Sequence, residues 1–316
     1  MVEIRKPGTC KKGLKILVYG ESGTGKTMFG LSFPKLVAID SEDGYSWYEG
    51  TDDGKNIVGM VDTQSYDDLR DLMEQIDDGK LNGVETLVID SETKIYENIK
   101  EALQSVEEER ALRKGRDVLD ANISIRSWGK IAQISTLLQN IKLRLASKGI
   151  NVISVAQNKD ITEDAGGGNR VKVGNDADMK KQARYDYDVV LRLVVRDGKH
   201  IGIVEKDRTK TYKDGDEILN PSYKSWEKVL TGERNSGETI EKDYSKSVEK
   251  SKEAYTESVK NDLPFTERVK EFYSGLSADE QKAFVEKVVE VTGTNKFAKM
   301  TTKQQKQVIE LIEAGK

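Results

Sequence analysis

A glycine-rich stretch near the amino terminus carries the residue types that bind phosphate. It has the spacing G-x-x-x-x-G-K-T and comprises Gly20, Glu21, Ser22, Gly23, Thr24, Gly25, Lys26 and Thr27. Glycines let the backbone wrap tightly, so that consecutive N–H groups point at one anion. A lysine here can reach the β- and γ-phosphates of a nucleotide, and the next hydroxyl can ligate Mg²⁺. The stretch therefore predicts a site for a nucleoside triphosphate and Mg²⁺.

The sequence on either side supplies the elements that such a loop needs. The apolar run 14–19 precedes it and is typical of a buried strand. Met28, Phe29 and Leu31 follow it and suit the first turns of a helix. A helix that begins at the loop adds its positive dipole end to the same anion site. A glycine turn with a chance lysine is the plain alternative, and it explains neither flanking element.

Two other apolar runs end in acidic residues. The run 84–90 ends in Asp90, and the run 36–40 is followed by Glu42 and Asp43. In phosphoryl-transfer sites, an aspartate at a strand end organises Mg²⁺ beside the hydroxyl of the glycine loop. We therefore expect Thr27 and Asp90 to hold the metal together, against the alternative that the strand simply ends in an acid.

Composition excludes several other classes of protein. The 316 residues include one cysteine, Cys10, and one histidine, His200. A disulfide framework and zinc sites of His and Cys are excluded, and the single cysteine fits a reducing cytoplasm. The net charge of −4 means that any contact with nucleic acid must come from local basic patches. Apolar runs are only a few residues long, so no membrane span is expected, and the basic start 1–13 lacks the apolar stretch of a secretory signal.

Alternation of strand and helix patterns predicts an α/β fold. Strands are expected at 14–19, 36–40, 57–61, 84–90, 150–156, 187–195 and 200–206. Helical periodicity lies between them, as at 66–76 and 95–106. Buried strands without polar alternation indicate a mostly parallel, twisted sheet with helices on both faces. The turn 196–199 predicts a hairpin that closes the sheet.

The carboxyl-terminal third has a different character. We expect a core domain over 1–231, a charged linker over 232–262 and a small helical domain over 263–316. A solvated linker is the plainer interpretation of 232–262, and a thin helical stripe is the alternative. That stripe would comprise Tyr244, Val248, Tyr255 and Val259. In the last segment, Ser277 and Glu280 form a capping box and Gly293 ends the helix.

Five motifs occur in an order that resembles the RecA-like P-loop ATPases. They are GESGTGKT, VAIDSED, TLVIDS, VISVAQ and EKDRTK, within residues 10–230. The chain most resembles the phage-type members, which are core-only relatives of RecA linked to recombination and single-strand annealing. One departure is Lys210, which stands where the family has a glycine. The resemblance implies a RecA-like ATPase core.

The resemblance also assigns roles to individual residues. Glu42 stands where the family's glutamate polarises the attacking water, and an acidic loop cap is the alternative. Gln157 stands where a polar residue senses the γ-phosphate and couples it to the loop that follows. Lys206 and Arg208 stand where basic residues reach a neighbouring subunit's γ-phosphate, and a merely charged strand end is the alternative.

Two segments correspond to the loops of RecA-like proteins that bind single-stranded DNA. The first, 110–126, offers Arg113, Lys114, Arg116 and Arg126, and the second, 159–184, offers Arg170, Lys172, Lys180 and Lys181. The second contains Gly166-Gly167-Gly168, and a loop of that length is functional or disordered. Neither has a clear aromatic stacking platform, so mobile surface loops are the alternative.

Together these features predict an ATP-hydrolysing DNA recombination protein. The resemblance implies that it binds single-stranded DNA, anneals or exchanges strands as an oligomer or filament, and works beside a single-strand-binding protein. Its expected location is the cytoplasm, that of the host cell if a phage encodes it. One alternative is a nucleic-acid or partner-binding module that ATP orders or switches. A small-molecule kinase is another, but it leaves Lys206 and Arg208 without a role.

Overall fold

The computed structural model describes residue 4 and residues 8–164, 169–242 and 244–314. The chain divides into two compact units, Met1–Asp243 and Tyr244–Lys316. Every strand in the described residues belongs to the first unit, and the second is helical.

A twisted sheet of mixed direction organises the first unit. Its strands are β1 (Lys15–Gly20), β2 (Leu36–Asp40), β3 (Ile57–Asp62), β4 (Thr86–Asp90), β5 (Asn151–Asp164), β6 (Arg170–Ala177), β7 (Val189–Arg196), β8 (Lys199–Asp207) and β9 (Glu217–Leu219). The order across the sheet is β3-β2-β4-β5-β1-β7-β8-β9, with β6 paired to β5 alone. Strands β3 to β7 along this order are parallel, and β8, β9 and β6 are antiparallel to their neighbours. The predicted α/β fold with a mostly parallel sheet is confirmed.

Helices cover both faces of this sheet. The first unit contains α1 (Lys26–Leu31), α2 (Tyr66–Asp77), α3 (Glu92–Arg113), α4 (Ile125–Ser147) and α5 (Glu227–Thr231). Successive residues of a strand point to opposite faces. Ala38 accordingly packs in one apolar cluster with Phe29 and Trp226, whereas Ile39 packs in another with Leu69 and Ile131. Burial on both faces explains why the strands are continuous apolar runs.

The strand register brings four sequence motifs to one edge. Gly20 at the end of β1 is level with Gln157 on β5, and Asp40 on β2 is level with Asp90 on β4. Asp90 is in turn level with Val155 on β5. Because parallel strands all end at the same side, the phosphate loop and the acidic strand ends lie close together at this carboxyl edge of the sheet.

The segment 159–184 differs from the expected long loop. Strand β5 continues past the predicted end at 156 to Asp164, and β6 returns beside it as an antiparallel hairpin. Only the first six residues of β5 are fully buried, and the rest are half-buried or exposed and polar except for Ile161. An exposed two-stranded ribbon lacks the continuous apolar run by which buried strands are recognised, so the hairpin was not predicted from the sequence. Gly166–Gly168 lie outside the described residues.

The antiparallel hairpin predicted over 187–206 is confirmed as β7 and β8. The short edge strand β9 was not predicted, because a three-residue strand carries too little pattern.

The second unit is built from four helices in its described residues, α6 (Ser245–Asp262), α7 (Phe265–Ser274), α8 (Ala278–Thr292) and α9 (Thr302–Ala314). Helices α7 to α9 enclose a small core that includes Phe284, Val288 and Val308. Ser277 and Glu280 form the capping box of α8, and Gly293 ends it at φ 75°. Helix α6 occupies much of the segment expected as a linker. No helix in the described parts of the chain is long and apolar enough to span a membrane.

Candidate functional site

The phosphate loop joins β1 to α1 at the carboxyl edge of the sheet. Gly23 and Gly25 have positive φ values of 74° and 91°, which favour glycine. The Lys26 ammonium lies across the loop and donates to the carbonyl oxygens of Gly20 at 3.0 Å and Glu21 at 2.8 Å. Those bonds place a cation at the mouth of a backbone nest, where the phosphates of a nucleotide would replace the carbonyls as its partners.

Thr27 and Asp90 meet beside the loop. The Thr27 hydroxyl donates to an Asp90 carboxylate oxygen at 2.8 Å. Burial raises the pKa of Asp90 to about 6, and the carboxylates of Glu42 and Asp40 add to this, whereas Thr27 and Lys26 oppose it. A buried carboxylate with so few donors is under-compensated, and a bound cation would compensate it.

The oxygen chemistry of this pair fits Mg²⁺. In the part of the chain that the structure describes, no group of three or more His, Cys, Asp and Glu residues is placed to hold a metal. Magnesium sites in phosphoryl-transfer proteins use one or two protein ligands, with water and substrate phosphate completing the octahedron. Thr27 and Asp90 match that pattern.

Glu42 is fixed by a turn at the end of β2. The Asp40 carboxylate accepts from the backbone N–H groups of Glu42 at 3.2 Å, Gly44 at 3.1 Å and Tyr45 at 2.7 Å. The Glu42 carboxylate then accepts from the Ser91 hydroxyl at 2.5 Å and the Gln157 amide at 2.8 Å.

Glu42 and Gln157 thus contact each other at the carboxyl edge, and Glu42 lies near enough to Lys26 to act on its charge. Burial lowers the pKa of Lys26, and the carboxylates of Asp90, Glu42 and Glu21 oppose that shift. The neighbouring Asp43 does not share this position, because its carboxylate accepts from the Ser46 hydroxyl at 3.1 Å. The arrangement offers one oriented carboxylate and one amide beside a phosphate-binding loop.

Sequence reasoning missed three polar residues at this site. Ser91 holds Glu42 and begins α3 as its N-cap, a position that a serine after a strand end does signal. The Asn158 amide donates to the Glu21 carboxylate at 2.6 Å, which ties the base of the β5–β6 hairpin to the phosphate loop. His200 contacts the loop from β8, 176 residues along the chain, and no local pattern announces that contact.

The structure does not bring Lys206 and Arg208 to the phosphate loop of their own chain. They flank Asp207, which pairs with Val189 at the start of β7. Val189 in turn pairs with Ile16 near the start of β1. Both side chains donate to the carbonyl oxygen of Tyr185 at 2.9 Å. They lie at the opposite, amino edge of the parallel strands.

The basic residues expected to face nucleic acid lie in two exposed places. Arg113, Lys114, Arg116 and Arg126 surround the connection between α3 and α4, whereas Arg170 and Lys172 lie on β6, and Lys180 and Lys181 follow it. Two of them form ion pairs with nearby acids: Lys172 with Asp160 at 2.6 Å and Arg113 with Glu109 at 3.3 Å. Trp128, in the first turn of α4, is 47% exposed beside this first group. No aromatic platform was expected within 110–126, and Trp128 lies two residues beyond that segment.

A family model described as an AAA domain (AAA_24) matches residues 12–231. The chain belongs to this family. The AAA domain thus spans the whole sheet and every residue of the site described above, and the phosphate loop makes it a P-loop NTPase domain.

Among solved structures, this AAA-domain protein matches one titled "Crystal structure of the RadB recombinase". The match has 16% sequence identity and a TM-score of 0.40, and it covers 66% of this chain and 87% of the other. No curated protein matches the chain.

Proposed function

We propose that this protein binds and hydrolyses ATP with Mg²⁺. One observation carries the proposal: Glu42 is held by Ser91 and Gln157 at the same edge as Lys26, Thr27 and Asp90. A phosphate loop alone needs only to bind a nucleotide. A carboxylate fixed beside it by two donors is what a hydrolase adds, because a water must be oriented for attack on the γ-phosphorus.

In the proposed reaction, water attacks the γ-phosphorus and ADP leaves, giving inorganic phosphate. The loop N–H groups and Lys26 stabilise the charge that develops on the phosphate oxygens. Glu42 orients the water and takes its proton late in the step. Thr27 and Asp90 hold Mg²⁺, which when bound neutralises charge on the phosphates.

Gln157 is proposed to report the state of the γ-phosphate to the β5–β6 hairpin. Its side chain lies at the site, and the same strand leaves the sheet immediately after it. An amide that exchanges Glu42 for a phosphate oxygen would change the root of the hairpin with each cycle.

The proposed partner is single-stranded DNA, bound at the exposed basic residues of the α3–α4 connection and of the hairpin. Cations that track a backbone, with an aromatic side chain on which bases stack, are the elements of such binding. Basic residues lie on both sides of the α3–α4 connection, and the exposed Trp128 in the first turn of α4 offers an aromatic side chain near it. On the motif resemblance, we further propose strand annealing or exchange by an oligomer or filament in the cytoplasm, with a single-strand-binding protein as companion.

One experiment tests the proposal. ATP hydrolysis is measured with and without single-stranded DNA over a range of protein concentration, with Lys26→Ala as the control. We expect activity that rises with DNA and with protein concentration and that Lys26→Ala abolishes, because a charge-assisted contact to the phosphates is lost. Tight ATP binding with negligible turnover would instead favour the switch module, and turnover that needs a small acceptor would favour a kinase.

A further inference from the structure

His200, the single histidine of the chain, lies against the phosphate loop. It stands at the start of β8 and pairs with Val195 near the end of β7. That position is at the carboxyl edge, where β1 ends in the loop. The imidazole Nδ1 is 3.0 Å from the carbonyl oxygen of Thr24. His200 belongs to none of the five motifs, and the proposed reaction does not use it.

The packing at Gly25 shows how closely the ring approaches. A Cβ atom at Gly25 would lie 3.2 Å from Nδ1 and 3.6 Å from Cγ of His200. Gly25 also has a φ of 91°, a conformation in which side chains are strained. The dihedral angle therefore favours glycine here, and an added Cβ would be in tight contact with the imidazole.

The partner atom fixes the chemistry of the ring. A carbonyl oxygen only accepts hydrogen bonds, so Nδ1 must carry the proton and donate it. The neutral Nδ1–H tautomer does this, and so does the imidazolium. The contact thus selects one of the two neutral tautomers, and it is the one that free histidine in water disfavours.

Holding the Thr24 carbonyl also orients the next N–H group. The peptide between Thr24 and Gly25 is planar, and in a trans peptide the C=O and N–H bonds point in opposite directions. With the carbonyl directed at His200, the Gly25 N–H is directed away from it. The N–H groups of this loop form the anion nest, so the direction of this one decides whether it is available to a phosphate.

We propose that His200 is a positioning residue of the nucleotide site, which holds the Thr24–Gly25 peptide so that the Gly25 N–H is oriented for phosphate before the nucleotide arrives. The proposal rests on the proposed ATP binding. A preorganised donor costs no reorganisation on binding, so the effect is on affinity for the phosphate chain rather than on the chemical step.

Three substitutions test the inference in the full-length protein. Asparagine places an amide N–H near the position of Nδ1, glutamine places it near Nε2, and alanine supplies no donor. We expect His200→Ala and His200→Gln to weaken ATP binding by roughly three- to tenfold, the range of one hydrogen bond. His200→Asn should restore most of that loss. The KM for ATP should follow, with kcat changed less than about twofold. Lys199→Ala, the exposed neighbour on β8, is the matched control and should behave as wild type.

Imidazole ¹⁵N NMR of the nucleotide-free protein tests the contact itself, whereas the split between KM and kcat and the rescue by asparagine separate a positioning role from a merely structural one. Since there is one histidine, the spectrum reports His200 alone, and we expect Nδ1 to be protonated. An Nε2–H tautomer, or equal ATP affinity of the alanine, asparagine and wild-type proteins, would overturn the inference while leaving ATP binding in place. Wild-type protein that does not bind ATP would overturn the proposed function as well, and the Lys26→Ala control separates the two failures.

Discussion

The two edges of the parallel sheet differ in whether the candidate site residues there have partners from the same site within one chain. At the carboxyl edge, Thr27 bonds Asp90, Gln157 bonds Glu42, and the charges of both carboxylates act on Lys26, all within one chain. At the amino edge, the candidate fingers are Lys206 and Arg208, the cations expected to reach a neighbouring subunit's γ-phosphate. Both donate to the Tyr185 carbonyl; Lys206 also donates to the Arg184 carbonyl at 3.5 Å, and Arg208 lies 3.6 Å from the Asp188 carboxylate.

Lys206 and Arg208 are too far from the phosphate loop of their own chain to reach it. Four residues along β1 separate the level of Asp207 from Gly20, which is about 13 Å at 3.3 Å per residue. The Arg208 side chain is 55% exposed and is bonded at the amino edge, to the Tyr185 carbonyl. If these cations act on a γ-phosphate, it belongs to another copy of the chain, so the comparison separates a site that one chain completes from one that requires assembly.

The largest expected effect tests the amino edge. Arg208→Ala should bind ATP nearly normally and hydrolyse it roughly 10³-fold or more slowly, because a finger that neutralises developing charge contributes that much where it operates. Binding is measured by calorimetry and turnover by phosphate release. Lys213→Ala, another exposed cation after β8, serves as the control and should leave turnover unchanged.

Mixing variants makes the test decisive. Lys26→Ala lacks the lysine of the phosphate loop but keeps Arg208, and Arg208→Ala keeps the loop. A mixed interface can place an intact loop of one subunit against Arg208 of the other, so the mixture should recover part of the activity that each variant has lost. Co-assembly of the two without recovery would contradict action between subunits and would leave Arg208 as a structural partner of Asp188.

The next effect concerns the carboxyl edge. Glu42→Gln should keep ATP affinity, because the amide is nearly isosteric and contacts water rather than phosphate, and should slow hydrolysis by about 10²-fold or more. Single-turnover kinetics separate the two quantities. Asp43→Asn is the matched control, and a larger loss in that variant would place the water-orienting carboxylate one residue later.

A smaller effect follows from the buried charge of Asp90. Its pKa is raised to about 6, so the folded protein binds this proton more tightly than the unfolded chain does. Its contribution to stability therefore falls as the pH rises from about 4 to about 6 and is level above that range. Asp90→Asn, which can still accept from Thr27, should stabilise the nucleotide-free protein by about 1 to 3 kcal/mol at pH 7.5 and by little at pH 4.

Urea unfolding at the two pH values checks this expectation. The same variant should lose the stabilisation that Mg²⁺ and ATP together give the wild type. Equal stability of wild type and variant at pH 7.5 would mean that the Asp90 charge is compensated in the nucleotide-free protein.

The smallest expected effect concerns removal of the helical unit, which tests whether the first unit folds and hydrolyses ATP without it. A fragment 1–243 should fold and keep ATP turnover. A fragment 1–231 should fold too, but be about 1 to 2 kcal/mol less stable, because Asn235 bonds both backbone groups of Lys12 and Lys242 bonds Ser147. Denaturant midpoints compare the two fragments. An unfolded 1–243 fragment would show that the helical unit is needed for the stability of the sheet.

The sequence could predict those parts of the molecule that short segments determine. The phosphate loop, the buried strands and the capping box of α8 each depend on neighbours within a few residues, and their patterns are strong for that reason. The β5–β6 hairpin could not be predicted, because its exposed strand residues carry no apolar run. Asn158 and His200 could not be assigned to the site, because their contacts with the loop depend on strand register across 137 and 176 residues of chain.

Strand β5 has a mechanical consequence. Its 14 residues are one uninterrupted strand, with the end of the buried part at Ala156 and the exposed part directly beyond Gln157. The seven residue-to-residue steps from Gln157 to Asp164 make a lever arm of about 23 Å at 3.3 Å per step. A tilt of about 5° at its fulcrum, where Gln157 and Asn158 contact Glu42 and Glu21, would carry Asp164 through about 2 Å. The arm pairs with β6 from Asn158 to Asp164, with one register shift between Ile161 and Thr162, so the two strands together would carry the displacement toward the tip of the hairpin.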